Sequence, residues 1–281
     1  MDPVEASRLT LKYAGHDNIT VYPTALYSSD AELTFNVSTH KALNSVFEAN
    51  AKLLKDQDYM VAEFTQGDQK AVQARALDSI LANKEIHFLK LDVEGAEYEV
   101  LLGATKALES TALGVRSEVL FAPIFNGAKL FGHLHDLLAS RGFELLNLDY
   151  NGAGNKTGRF TLPTKYGKLL SSDAVWVISQ DRLWSAEGPA LHKNLIRYAL
   201  FLLFNGASDL AVDALIHGTR ERGLNLSAFS KDKITQVLRQ KMLELFKSLM
   251  SVPQLRQEEI KEAYLELFSE EFPVMNKYYE R

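Results

Sequence analysis

The sequence predicts an open, largely parallel α/β sheet followed by a helical appendage, and three observations carry that expectation. Up to about residue 180, short apolar stretches of strand type alternate with segments of helical spacing. The stretch "IHFLKL" (86–91) is mostly apolar, as suits a strand buried in a parallel sheet. Beyond about residue 186 every periodic segment reads as an amphipathic helix, with no further strand. Residues 1–185 are therefore expected to form an α/β domain and residues 186–281 a helical C-terminal extension.

Each element has its own signal. "NITVYPTALYS" (18–28) is rich in β-branched and aromatic residues and reads as a strand, with Pro23 marking an edge or a bulge. "SSDA" is a turn into "AELTFNVS", whose alternation predicts a half-exposed strand. "ALDSILAN" reads as a short helix before the "IHFLKL" strand. From Gly95, helical spacing links Ala96, Val100, Leu101, Ala104, Ala107 and Leu108. "VRSEVLF" is a strand, "FGHLHDLLASRG" a helix closed by Gly142, "FELLNLDY" a strand, and "DAVWVIS" (173–179) the last strand. "HKNLIRYALFLLF", "ASDLAVDALIHG", "DKITQVLRQKMLELFKSLM" and "QEEIKEAYLELF" supply the helical tail.

Bulk properties narrow the class. The 281 residues are 46% hydrophobic and 24% charged, which suits a globular chain with a sizeable core. A net charge of -5 argues against a nucleic-acid surface. The absence of cysteine excludes disulfides and thiolate metal sites and suits a reducing compartment. "MDPVEASRL" lacks the basic-then-apolar order of a signal peptide, and "YALFLLF" (198–204) is too short to cross a bilayer. The expectation is a cytoplasmic protein without nucleic-acid or membrane partners. No fixed-period repeat or low-complexity tract stands out.

Chemistry concentrates in "FLKLDVEGAEYEVLLGA" (88–104), where an apolar strand runs into Asp92, Glu94 and Glu97. In open α/β sheets the ligand crevice lies outside the carboxyl ends of the strands, which is where Asp92 falls. Lys90 shares one strand face with Asp92 and needs a partner if buried. Acids also gather in a first helical turn simply to satisfy free N–H groups and the helix dipole, at about 0.3–1 kcal/mol each. Spacing alone favours that structural role.

A resemblance adds to this reading. "LKLDVEGAEYEVLLGA" resembles the signature of the FkbM-type methyltransferases, with Lys90, Asp92, Glu94, Gly95, Glu97, Gly103 and Ala104 on the matching positions. "ALDSIL", "SEVLFAPIFNGAKLFGHLHDLLASRGFELLNL" and "SSDAVWV" resemble neighbouring family segments, over roughly residues 2 to 180. The resemblance implies a Rossmann-like class I methyltransferase sheet and S-adenosyl-L-methionine-dependent O-methylation of a hydroxyl on a sugar or secondary metabolite. It implies Asp92, Glu94 and Glu97 as catalytic candidates, and Asp2, Ala25, Leu26 and Asp92 beside the cofactor. Asn44, Ser45 and Glu118 are then candidates for contact with a small-molecule or glycan acceptor. Lys90 would orient the acids. No metal ligand is assigned.

The family's first strand-helix-strand unit, with its glycine-rich turn and ribose-binding acid, has no counterpart in the sequence, since only Gly15 and Gly67 precede residue 90. Asp2 and Pro3 fall just after the place of that acid. The sheet is thus expected to lack that unit, and whether the chain is active alone turns on how it binds cofactor without that loop. Two alternatives stand beside methyl transfer: a non-catalytic interaction module on a remnant fold, and a metal-dependent glycosyltransferase using Asp92 and Glu94. "NGAGNKTG" (151–158) fails the Walker pattern and reads as a hairpin loop. His133 and His135 lack a third ligand, His87 reads as a core histidine, and Trp176 and Trp184 read as core or interface.

Overall fold

A computed structural model describes residues 3–57, 60–149, 169–250 and 257–269. The chain divides into two compact units, Met1–Ile178 and Ser179–Arg281.

The first unit opens with α1 (Pro3–Lys12), β1 (Ala25–Leu26), β2 (Ala31–Ser38), α2 (Ala51–Gln57), β3 (Gln66–Arg75) and α3 (Leu77–Ile80). There follow β4 (Phe88–Leu91), α4 (Glu97–Leu102), α5 (Thr105–Ser110), β5 (Gly114–Leu120), α6 (Phe131–Ala139), β6 (Phe143–Asp149) and β7 (Ser171–Ile178). The strands form two sheets, of order β1-β3-β2 and β4-β5-β7-β6. The fold is mixed α/β, as a Rossmann-like methyltransferase sheet requires.

The expectation of a largely parallel sheet holds for strand direction in the four-stranded sheet, where β4, β5 and β6 point one way and β7 alone is reversed. β1 with β3 and β4 with β5 are parallel, whereas β2 with β3, β5 with β7 and β6 with β7 are antiparallel. The reversal of β7 is not legible in its sequence, because Ala174, Val175, Trp176 and Val177 are all buried. A strand covered on both faces reads as a continuous apolar run whichever way it points.

Register builds the core. Leu89 pairs with Val115, and Val115 with Trp176, so these side chains share one face. α4 and α6 pack on β5, bringing buried Val100, Leu101, Leu134 and Leu138 to the core, and the Phe131 ring stacks 6.1 Å from Trp176.

Three local expectations change. The 18–28 strand shrinks to β1, because Pro23 offers no ladder donor and register with β3 is confined to Ala25 and Leu26, with one further bond from the Tyr27 amide to the Arg75 carbonyl. β3 itself carried no strand signal: its sequence is polar and mostly exposed, and backbone pairing to β1 and β2 makes it a strand. The helix after Gly95 breaks into α4 and α5. Gly103 passes so close to the Tyr27 carbonyl that an added Cβ would lie 2.1 Å from its oxygen. The Asp78 carboxylate then accepts from the amides of Lys106 and Ala107, capping a second helix.

The second unit contains α7 (Gln180–Trp184), α8 (Gly188–Phe204), α9 (Ser208–Arg222), α10 (Lys233–Leu249) and α11 (Gln257–Phe268). α8 is its core helix, burying Leu191, Leu195, Ile196, Ala199 and Leu202. Gly218 of α9 leaves room for Leu195, which would stand 2.9 Å from an added Cβ. Arg220 pairs with Glu266 in a two-pronged contact of 2.5 and 2.7 Å, joining α9 to α11. Among the described residues, no helix is long and apolar enough to cross a membrane.

Candidate active site

The site begins where β4 ends. After Leu91 the backbone reverses through Glu94 (φ 55°) and Gly95 (φ 93°) before α4 starts at Glu97. Gly95 adopts the left-handed conformation freely, and a Cβ there would stand 2.9 Å from the Phe125 ring. Glu94 has no such freedom and costs about 1–2 kcal/mol in that conformation. Two contacts hold it. Glu97 Oε1 accepts from the Val93 amide at 2.8 Å, and the Ser45 hydroxyl donates to the Glu94 carbonyl at 2.6 Å.

Parallel register places Leu91 opposite Ser117, so the next pair along is Asp92 and Glu118. Asp92, Glu94 and Glu118 each offer a carboxyl oxygen, and these oxygens lie within 4.8 Å of one another. Three acids this close cannot all ionise cheaply. Burial, then the charges of Glu118, Asp92 and Glu97, push Glu94 up to about 8. Burial, then the charges of Glu97 and Asp92, push Glu118 up to about 7. Burial also raises Glu97, against the pull of backbone N–H groups of Val93, Glu97 and Gly95. The turn rests on an apolar cluster that includes Leu120, Ile124 and Phe125, which keeps water from one side. Such a group of oxygens can retain protons near neutral pH or hold a cation.

Beside the acids runs a ladder of alternating charge. Lys90 Nζ lies 3.3 Å from Asp92 and 3.4 Å from Asp173, while Arg116 lies 2.7 Å from Asp173 and 3.2 Å from Asp149. Lys90 finds partners, as the sequence required, yet its side chain is 48% exposed instead of buried. Burial pulls Asp173 upward, but Arg116 and Lys90 outweigh it and leave this carboxyl below its usual range. Arg116, Asp149 and Asp173 were not singled out from the sequence. Their signal was a charge at alternate positions of otherwise apolar strands, as in "VRSEV" and "SSDAV".

Comparison with known proteins bears on these residues. A family model described as the methyltransferase FkbM domain matches residues 2–145, half of the chain. The chain belongs to the FkbM methyltransferase family. The matched span contains Asp92, Glu94, Glu97 and Glu118. Neither a curated protein nor a solved structure matches.

The structure separates the other residues singled out from the sequence. Ser45 reaches the site, since it contacts the Glu94 turn. The neighbouring Asn44 carboxamide accepts from the Ser38 amide at 2.8 Å and so fastens the end of β2. Ala25 and Leu26 pair with β3, and Tyr27 beyond them meets Gly103 at the C-terminal end of α4. The acids stand at the opposite end of that six-residue helix, about 9 Å away along its axis. Asp2 and the "NGAGNKTG" loop lie outside the described residues.

The remaining aromatic and histidine positions mostly serve packing. His133 sits edge-on to Tyr98 at 6.3 Å, and His135 accepts from Trp176 Nε1 at 3.3 Å while stacking on Phe131. The core-histidine reading of His87 is corrected: it precedes β4, is only half-buried, and lies 3.5 Å from exposed Glu85. In the second unit, Trp184 meets His217 edge-on with ring centres 4.6 Å apart.

Proposed function

We propose that this FkbM-family chain performs S-adenosyl-L-methionine-dependent methyl transfer to a hydroxyl of a sugar or secondary metabolite. The observation that carries this reading is the convergence of Asp92, Glu94 and Glu118 at the carboxyl ends of neighbouring parallel strands inside the matched methyltransferase domain. S-adenosyl-L-methionine supplies an electrophilic methyl group on a positively charged sulfonium. A set of carboxyls fits such a cationic ligand by charge.

The residues then take distinct parts. Asp92, exposed at the end of β4, would hold the cationic methionine portion, and Ala25 and Leu26 would flank the adenine. Glu94 holds its proton up to about pH 8, and a positive charge beside it would lower that value and let the proton leave to solvent. Its ionised carboxylate then accepts the proton of the acceptor hydroxyl. Glu118 binds and orients that hydroxyl. Glu97 keeps the turn closed, because its oxygen is already engaged by the Val93 amide. The acidic surroundings favour an uncharged or cationic small-molecule or glycan acceptor over a phosphorylated one.

The test is transfer of an isotopically labelled methyl group to a panel of hydroxylated acceptors. Label should appear with wild type and be lost with Glu94→Gln. Absence of transfer to every sugar and secondary-metabolite alcohol tried would remove this reading.

The same three oxygens favour one second reading, in which Asp92 and Glu94 hold a divalent cation for glycosyl transfer from a nucleotide sugar. Manganese-dependent turnover of a nucleotide sugar, without methyl transfer, would select it.

A further inference from the structure

We infer that Ser45 is a positioning residue for Glu94, and that the β2–β3 hairpin is the scaffold through which it acts. This inference rests on the methyl-transfer reading for its kinetic consequence, though not for its geometry.

Glu94 is a non-glycine residue at φ 55°, a conformation that persists only where its surroundings impose it. Ser45 imposes it from 49 residues away in sequence. Its hydroxyl donates to the Glu94 carbonyl at 2.6 Å and accepts from the Phe47 amide at 3.0 Å, so both of its roles are filled. The side chain is fully enclosed, at 1% exposure, and has nowhere else to turn.

Ser45 is itself fixed. Its amide and carbonyl exchange hydrogen bonds with Asn36 of β2 at 3.2 and 2.7 Å. The Asn36 side chain is buried, donates to the Ser45 carbonyl at 3.4 Å and accepts from Gln69 of β3 at 2.9 Å. A continuous polar path therefore runs Gln69, Asn36, Ser45, Glu94. Buried polar groups of this kind cost stability unless every partner is present, so the path keeps one geometry. On the far side of the turn, Phe125 lies against Gly95. The peptide between Glu94 and Gly95 is thus held from two directions, and the direction of the Glu94 side chain follows. Contact between the Ser45 hydroxyl and an acceptor is unnecessary for this role.

The experiment compares wild type, Ser45→Ala, Ser45→Thr and Ser45→Cys. Hydrogen–deuterium exchange of peptides covering 92–97 reports the turn without any ligand. Steady-state methyl transfer reports its use. Ser45→Ala should exchange about tenfold faster in that segment, the effect of one lost hydrogen bond. Its kcat should fall about 100-fold with the donor KM held within about twofold, as expected for a misdirected group that does not bind donor. Ser45→Thr, which keeps the donor, should recover most of the loss. If Ser45→Ala fails to fold, Ser45→Cys has nearly the same shape with a weak donor and answers the same question. A folded Ser45→Ala with unchanged exchange at 92–97 overturns the inference. So does an unchanged kcat in a protein whose wild type transfers methyl groups. Absence of methyl transfer in wild type would instead refute the functional reading, and the exchange rates would still decide the positioning.

Discussion

Glu97 Oε1 and the amide nitrogen of Val93 are 2.8 Å apart, and this bond closes the turn on which Glu94 is carried. Glu97 is 3% exposed, so the bond cannot be replaced by water without opening the structure. Glu97→Ala should therefore destabilise the chain by about 1–3 kcal/mol in urea unfolding, the cost of an orphaned buried group. Glu97→Gln keeps an acceptor oxygen and should lose less. Equal losses for the two variants would mean that the bond does not support the turn.

Stability should carry the signature of Glu94. Its folded value, about 8, lies above the ordinary value of 4.5, so between these the folded chain holds a proton that the unfolded chain has released. The unfolded state then binds fewer protons, and this group makes stability fall as pH rises from about 4.5 to about 8. Asp173, held low by Arg116 and Lys90, works oppositely and loses its contribution in acid. Glu94→Gln isolates the first effect. The melting temperature of that variant should exceed wild type more at pH 8.5 than at pH 5.5, whereas a constant offset would show that Glu94 keeps an ordinary ionisation.

Catalysis should depend on the same proton with a different sign. A base must be ionised to accept, so kcat/KM of wild type, which reports the free enzyme, should climb with pH up to about 8 before levelling. Glu94→Gln should reduce kcat by about 10² to 10⁴ and flatten that climb. A flat profile in wild type would assign the proton transfer elsewhere.

Gly103 tests the break between α4 and α5. An added methyl would sit 2.1 Å from the Tyr27 carbonyl oxygen and 3.3 Å from Ala76 Cα, both backbone atoms that cannot simply rotate away. Gly103→Ala should cost about 1–3 kcal/mol in chemical denaturation, although alanine is the better helix former. A neutral or stabilising result would mean that β1 does not press on this junction.

What the sequence made legible was local, and what it hid was long-range. β2, β4, β5 and β7 declared themselves by apolar or alternating pattern, and the acids after β4 by their spacing. β3 did not, because its exposed Gln69, Lys70 and Gln73 gain strand structure only from β1 and β2 on either side. The helix break at Gly103 answers to a carbonyl 76 residues earlier, which no helical periodicity can reveal. The acid motif resembled a methyltransferase family, and the family match agrees. Its partners were less accessible. Arg116 and Asp173 meet only because β7 runs back alongside β5, and Ser45 reaches Glu94 only because the hairpin is stapled through Asn36.

The central claim is that Asp92, Glu94 and Glu118 form the mouth of a methyl-donor site. Calorimetric titration of the chain with S-adenosylhomocysteine, paired with thermal melting, addresses it most directly. Binding should be measurable and should weaken in Asp92→Asn. The folded chain should also gain about 2.7 kcal/mol of stability when the ligand is present at 100 times its dissociation constant. A folded chain that gives no heat of binding and no shift in melting would contradict it.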